Sequence, residues 1–153
     1  MRRFLLAAVL NLSLASPILA QGAATPDLSG TWVLNLEKSK MPQQGTIVSE
    51  TIVITCSDTA IQFRYTTNGK KYMKTIVPNG KEYPAAIWQE DLETFTRATW
   101  EKSDLVIEGI SRSAINHHVI SRVIMRWVLS PDGRTLSWQA DQIKSLTQVY
   151  DKQ

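Results

Sequence analysis

Apolar and polar residues alternate along most of this chain with a period of two. Ile61, Phe63 and Tyr65 fall on one parity, and Gln62, Arg64 and Thr66 on the other. Val123, Met125, Trp127 and Leu129 share a face opposite Arg122 and Arg126, and Leu136, Trp138 and Ala140 repeat the pattern. Successive side chains of a strand point to opposite faces, so this alternation predicts strands with one buried and one wet face, paired antiparallel. Segments 31–36, 47–56, 60–67, 70–77, 92–101, 104–112, 118–129, 134–140 and 145–151 are rich in β-branched and aromatic residues and are predicted strands. No stretch carries a capped helical stripe.

Turn residues fall between these segments. Asn68-Gly69 is a strong hairpin signal, because a type I′ turn needs positive φ at both central residues. Asn79-Gly80, Lys102-Ser103-Asp104 and Pro131-Asp132-Gly133 are further turn signals. A meander of about nine strands must close, stack or leave exposed edges. The predicted fold is therefore all-β: an antiparallel up-and-down barrel of about 8–10 strands. Such a barrel is either filled by side chains or holds one small ligand.

The first residues follow a different rule. Arg2 and Arg3 precede an apolar run from Phe4 to Leu14, then Ser16, Pro17 and Ile18-Leu19-Ala20. A basic head, an apolar stretch and small residues at a cleavage site define a secretory signal peptide. The run is too short for a permanent membrane anchor. Expected boundaries are a signal peptide at 1–20, a linker at 21–28 and the barrel domain at 29–153. The predicted location is periplasmic or extracellular, with no stable membrane insertion after cleavage.

Charge alters the picture little. Losing residues 1–20 removes two arginines and no acid, leaving 15 basic and 14 acidic residues. The longest basic run in the mature chain is Lys70-Lys71, so no clustered face for nucleic acid is expected. With 43% apolar and 20% charged residues the composition is that of a folded domain. The lone Cys56 excludes an intrachain disulfide and reads as a small buried hydrophobe near a strand end.

The domain opens with Gly30-Thr31-Trp32. A Gly-x-Trp entering the first strand resembles the signature of lipocalins and fatty-acid-binding proteins, the calycins. That resemblance implies a lipocalin-like barrel with Trp32 as the plug of its closed end. Residues 146–152 are similar to the last strand of fatty-acid-binding proteins, where an Arg-x-Tyr pair holds a ligand carboxylate. Tyr150 takes the Tyr position, but Gln148 stands where the Arg would be. A neutral amide lacks the charge that makes carboxylate recognition strong, so an uncharged head group is implied. Residues 37–46 are too few for the two-helix lid of that family. Residues 79–84 and 131–136 also resemble segments of small secreted bacterial proteins of lipocalin-like type.

Five tryptophans either fill the interior or line a pocket. The candidate ligand-binding residues are Tyr65, Tyr72, Arg97, Met125, Trp127, Trp138, Gln148 and Tyr150. No catalytic constellation is visible. His117-His118 would point to opposite faces of a strand and cannot chelate one metal there. Glu90, Asp91 and Glu93 read as a wet loop. The sequence thus predicts a monomeric binding protein for a small apolar or amphipathic molecule, without cofactor or metal. The alternative is a structural or protein-interaction β module with a filled core.

Overall fold

The computed structural model describes residues 25–41, 47–85, 91–143 and 146–153. The predicted signal peptide and residues 21–24 of the linker lie outside these. Ten strands form one antiparallel sheet: β1 (Gly30–Leu34), β2 (Glu50–Cys56), β3 (Ile61–Thr67), β4 (Lys70–Ile76), β5 (Glu82–Pro84), β6 (Leu92–Glu101), β7 (Asp104–Ser113), β8 (Val119–Leu129), β9 (Thr135–Ala140) and β10 (Thr147–Lys152). Their order is β4-β3-β2-β1-β10-β9-β8-β7-β6-β5. Nearly every strand pairs with its sequence neighbour, and β1 pairs with β10 to join the two halves. β5 is the one strand the alternation did not predict. It is three residues long and includes Pro84, which offers no ladder N–H and belongs on a sheet edge.

The sheet curls until distant strands touch. The rings of Phe63 on β3 and Trp127 on β8, five places apart in sheet order, lie 5.3 Å apart. Ile76 from β4 and Ala98 from β6, near opposite ends of the sheet, belong to one core with Ile52, Ile54, Leu105, Ile107 and Leu136. This is the expected antiparallel up-and-down barrel, with one seam: the outermost strands, β4 and β5, are not paired to each other.

Inward parity runs consistently around the wall. Cross-strand partners share a face, so the pairings Gly30↔Ile54, Ile54↔Phe63 and Phe63↔Lys74 place all four residues on the interior side. Trp32 closes one end. It is fully buried, its indole N–H donates to Leu28 O at 2.9 Å, and the Lys152 ammonium lies 5.2 Å from its ring centre. Gly30 precedes it at φ 144°, and a Cβ there would come within 2.9 Å of Lys152 Cε. The backbone angle is one that L side chains rarely adopt, so it calls for glycine, and the Lys152 side chain occupies the space beside it. At the first hairpin beyond β3, Asn68 and Gly69 have φ 48° and 80°, as the type I′ turn demands.

On the outer face, Val106 and Ile110 are also buried. Register sets Arg126 beside Val106 and Arg122 beside Ile110. These arginines belong to ion pairs with Glu101, Asp104 and Glu108 on the same outer face. Cys56 ends β2, half-buried.

Candidate ligand site

A polar cluster lies inside the barrel toward the end opposite Trp32. Glu50 begins β2 on the same parity as Ile52 and Ile54, so it points inward and is only 5% exposed. Its carboxylate collects hydroxyl groups. Tyr150 donates to Oε1 at 2.6 Å, and Thr67 donates to Oε2. The Tyr72 hydroxyl stands 3.5 Å from the same Oε2 and 3.3 Å from Thr67 Oγ1. Among the described residues no lysine or arginine makes an ion pair with it. The Gln148 amide lies 3.1 Å from the Tyr150 hydroxyl and 3.7 Å from Met41 Sδ. Tyr150 has one proton, committed to Glu50 in the shorter bond. Gln148 Oε1 is the atom that faces the phenol, and Gln148 Nε2 donates toward Met41 Sδ.

Aromatic rings line the path from this cluster. Tyr72 stacks on Tyr65 at 4.5 Å, Tyr65 on Phe63 at 6.0 Å, and Trp127 on Tyr150 at 6.0 Å. With the Phe63–Trp127 contact these five rings form one chain from the half-exposed Tyr72 to the buried Tyr150. Their phenols resist ionisation. Burial, then the charges of Tyr72 and Glu50, push Tyr65 far above its ordinary value. Burial, then Glu50, does the same to Tyr150. Both remain neutral hydrogen-bonding groups over any physiological pH.

The seam holds the room. Between β4 on one side and β5 and β6 on the other lies a cavity of ≈ 560 Å³. Its lining includes Tyr72, Lys74 and Ile76 from β4, Tyr83 and Pro84 from β5, and Ala98 from β6. Tyr72 links it to the Glu50 cluster, since the same side chain borders both. Lys74 sits half-buried in this wall on the inward parity, and burial lowers its pKa from the ordinary value.

Of the residues singled out from the sequence, Tyr65, Tyr72, Gln148 and Tyr150 come together around Glu50. Trp127 joins through its stacking on Tyr150. Trp138 and Met125 face the interior, paired with Trp127 and Ala140. Arg97 does not reach the cluster. It is out of phase with buried Ala98, faces outward, and its guanidinium holds Glu108 at 2.8 Å. Sequence reasoning missed Glu50, Thr67 and Lys74. Glu50 carried a usable signal, a charge on the apolar parity of Ile52 and Ile54. Lys74 carried the same signal between Tyr72 and Ile76. Trp88 lies outside the described residues. His117 contacts Glu93 at 2.9 Å on the surface. Among the described residues no three His, Cys, Asp or Glu side chains are grouped to hold a metal.

No protein-family model matches the chain, and no curated protein matches it either. Solved structures do. Lipid binding protein 8 of Caenorhabditis elegans in its apo form is 14% identical, with a TM-score of 0.55, covering 82% of this chain and 95% of that one. Human cRBP IV is 15% identical, with a TM-score of 0.59, covering 84% and 99%. A point mutant of the fluorescent protein UnaG is 10% identical, with a TM-score of 0.60, covering 82% and 95%. At such identities the likeness fixes the fold alone: this chain shares the antiparallel β-barrel of these structures.

Proposed function

We propose that this chain binds one small, lipid-like molecule with an uncharged head group inside an exported, monomeric barrel, and that it acts by binding rather than catalysis. The seam cavity of ≈ 560 Å³ carries the reading. Its size falls within the roughly 300–1,000 Å³ of small-molecule sites, and its wall mixes apolar side chains with a few polar handles. The polar end of the guest faces the Tyr72 hydroxyl, which is backed by Glu50. At the Tyr72 hydroxyl a carboxylate ligand would stand beside the Glu50 carboxylate, with Lys74 further along the same face of β4, whereas an alcohol could donate to the cluster. One of the similar structures is that of a lipid binding protein, which agrees with an apolar guest without identifying it. Residues 1–20 support export by their basic, apolar and small-residue order.

The chain of five rings favours a second reading, a filled barrel that serves as an interaction module. Titration of the mature protein with 1-decanol, followed by tryptophan fluorescence, separates the two. Saturable change near one-to-one, with a weaker response to decanoate, is the expected result. A flat signal with decanol and with longer alcohols rejects ligand binding and leaves the filled module.

A further inference from the structure

Lys74 is an inward-facing amine with nothing to neutralise it among the described residues. It lies on β4 between Tyr72 and Ile76 of the same face, with Phe63 as its cross-strand partner. Its side chain borders the seam cavity, whose far wall is built by Tyr83, Pro84 and Ala98. Among the described residues it makes no ion pair and donates no side-chain hydrogen bond, while eight other ion-pair contacts tie up arginines, Lys38 and His117 elsewhere. A structural lysine on a sheet edge normally extends into water or onto a carboxylate. This one is placed where a guest would sit.

We propose that Lys74 captures an apolar aldehyde as an imine in the seam cavity. The inference rests on the ligand-binding reading and narrows it to one class of uncharged head group. A primary amine in a partly desolvated, mainly apolar wall is a nucleophile toward a carbonyl. Burial favours the neutral amine, the form that carries the reactive lone pair. That lone pair adds to the aldehyde carbon as the carbonyl electrons move to oxygen. Transfer of a proton from nitrogen to oxygen gives a carbinolamine, and loss of one water leaves the C=N bond. The step needs no oxidant and no reductant. The apolar tail then lies along Ile76, Pro84 and Ala98, which line the same cavity.

The competing occupant of the same position is a carboxylate paired with a Lys74 ammonium, and it forms no covalent bond. The mature protein is incubated with decanal, and sodium cyanoborohydride converts any imine to a stable secondary amine for peptide mapping. Non-covalent binding of 1-decanol is measured in parallel by tryptophan fluorescence. The expected result is one adduct per chain at Lys74, formed roughly tenfold or more faster than at the exposed Lys70 and Lys71 through the local concentration of bound aldehyde. K74Q and K74R should lose that adduct while still unfolding cooperatively, which shows that both variants are folded. Adducts spread over exposed lysines, or none at Lys74 while 1-decanol binds, overturn aldehyde capture and leave the binding reading intact. No response to 1-decanol, with no adduct at Lys74, overturns both.

Discussion

Removing one oxygen atom tests whether the Glu50 cluster is a preformed, coupled unit. Tyr150→Phe keeps the ring that stacks on Trp127 and deletes the hydroxyl that donates to Glu50 Oε1 at 2.6 Å. Both partners are buried, with Tyr150 1% exposed and Glu50 5%. Little apolar contact is lost, so the change isolates the hydrogen bond. A buried donor to a charged group contributes about 1.5–3 kcal/mol, because its loss leaves the carboxylate one donor short with no water to replace it. With a urea slope of about 1–3 kcal/mol per molar for a domain of this size, the midpoint should fall by about 1 M at unchanged slope. Urea unfolding followed by far-UV circular dichroism measures it. The variant Glu50→Gln and the double variant complete a cycle, for which coupling of about 1–2 kcal/mol is expected. A loss below about 0.5 kcal/mol in Tyr150→Phe, or strictly additive single effects, would refute the coupled cluster.

Other outcomes follow from the same geometry. Trp32→Ala empties the closed end and strands Leu28 O, so stability should drop by about 3–5 kcal/mol in urea unfolding. Arg97→Ala breaks an outer-face pair with Glu108, so titration with 1-decanol should give an unchanged curve and stability should fall by no more than about 1 kcal/mol. Asp151 is held below its ordinary 3.8 first by the Asn35 amide and then by Lys38. The unfolded chain therefore takes up a proton at Asp151 before the folded one does. Its stabilising contribution is complete above pH 3.8 and is lost as pH falls through the folded value. Asp151→Asn should flatten the acid side of the stability profile, measured as thermal midpoint between pH 5 and pH 2; an unchanged acid limb would count against the Asn35–Asp151–Lys38 contact.

Much of the wall was legible because each long strand alternates strictly. Ile61, Phe63 and Tyr65, or Leu136 and Trp138, face inward as their parity predicts. Trp32 was legible as a buried ring through the Gly-x-Trp resemblance at the entrance of the first strand. Four features were not. β5 has only three residues, too short for a period to show. Arg97 lies in a strand with aromatics on both faces, Phe95 outward beneath Arg112 and Trp100 inward against the core, so the period there was ambiguous. Glu50 and Lys74 each place a charge on an apolar parity, but alternation within one strand does not say what such a charge faces. Only the pairing of β1 with both β2 and β10, which sets Tyr150 and Glu50 two strands apart on one face, reveals the carboxylate as the centre of a cluster. The seam between β4 and β5 is a property of closure, which alternation within single strands cannot specify.

The claim that the barrel accepts a guest through its seam is tested most directly by amide chemical shifts of the mature protein during titration with 1-decanol. Saturable shifts concentrated in β4 from Tyr72 to Ile76, in Tyr83 and Pro84-flanking Ala85, and at Thr96 and Ala98 are predicted, because these residues border the cavity. Shifts confined to the outer face around Arg97 and Glu108, or no shifts at saturating alcohol, would contradict it.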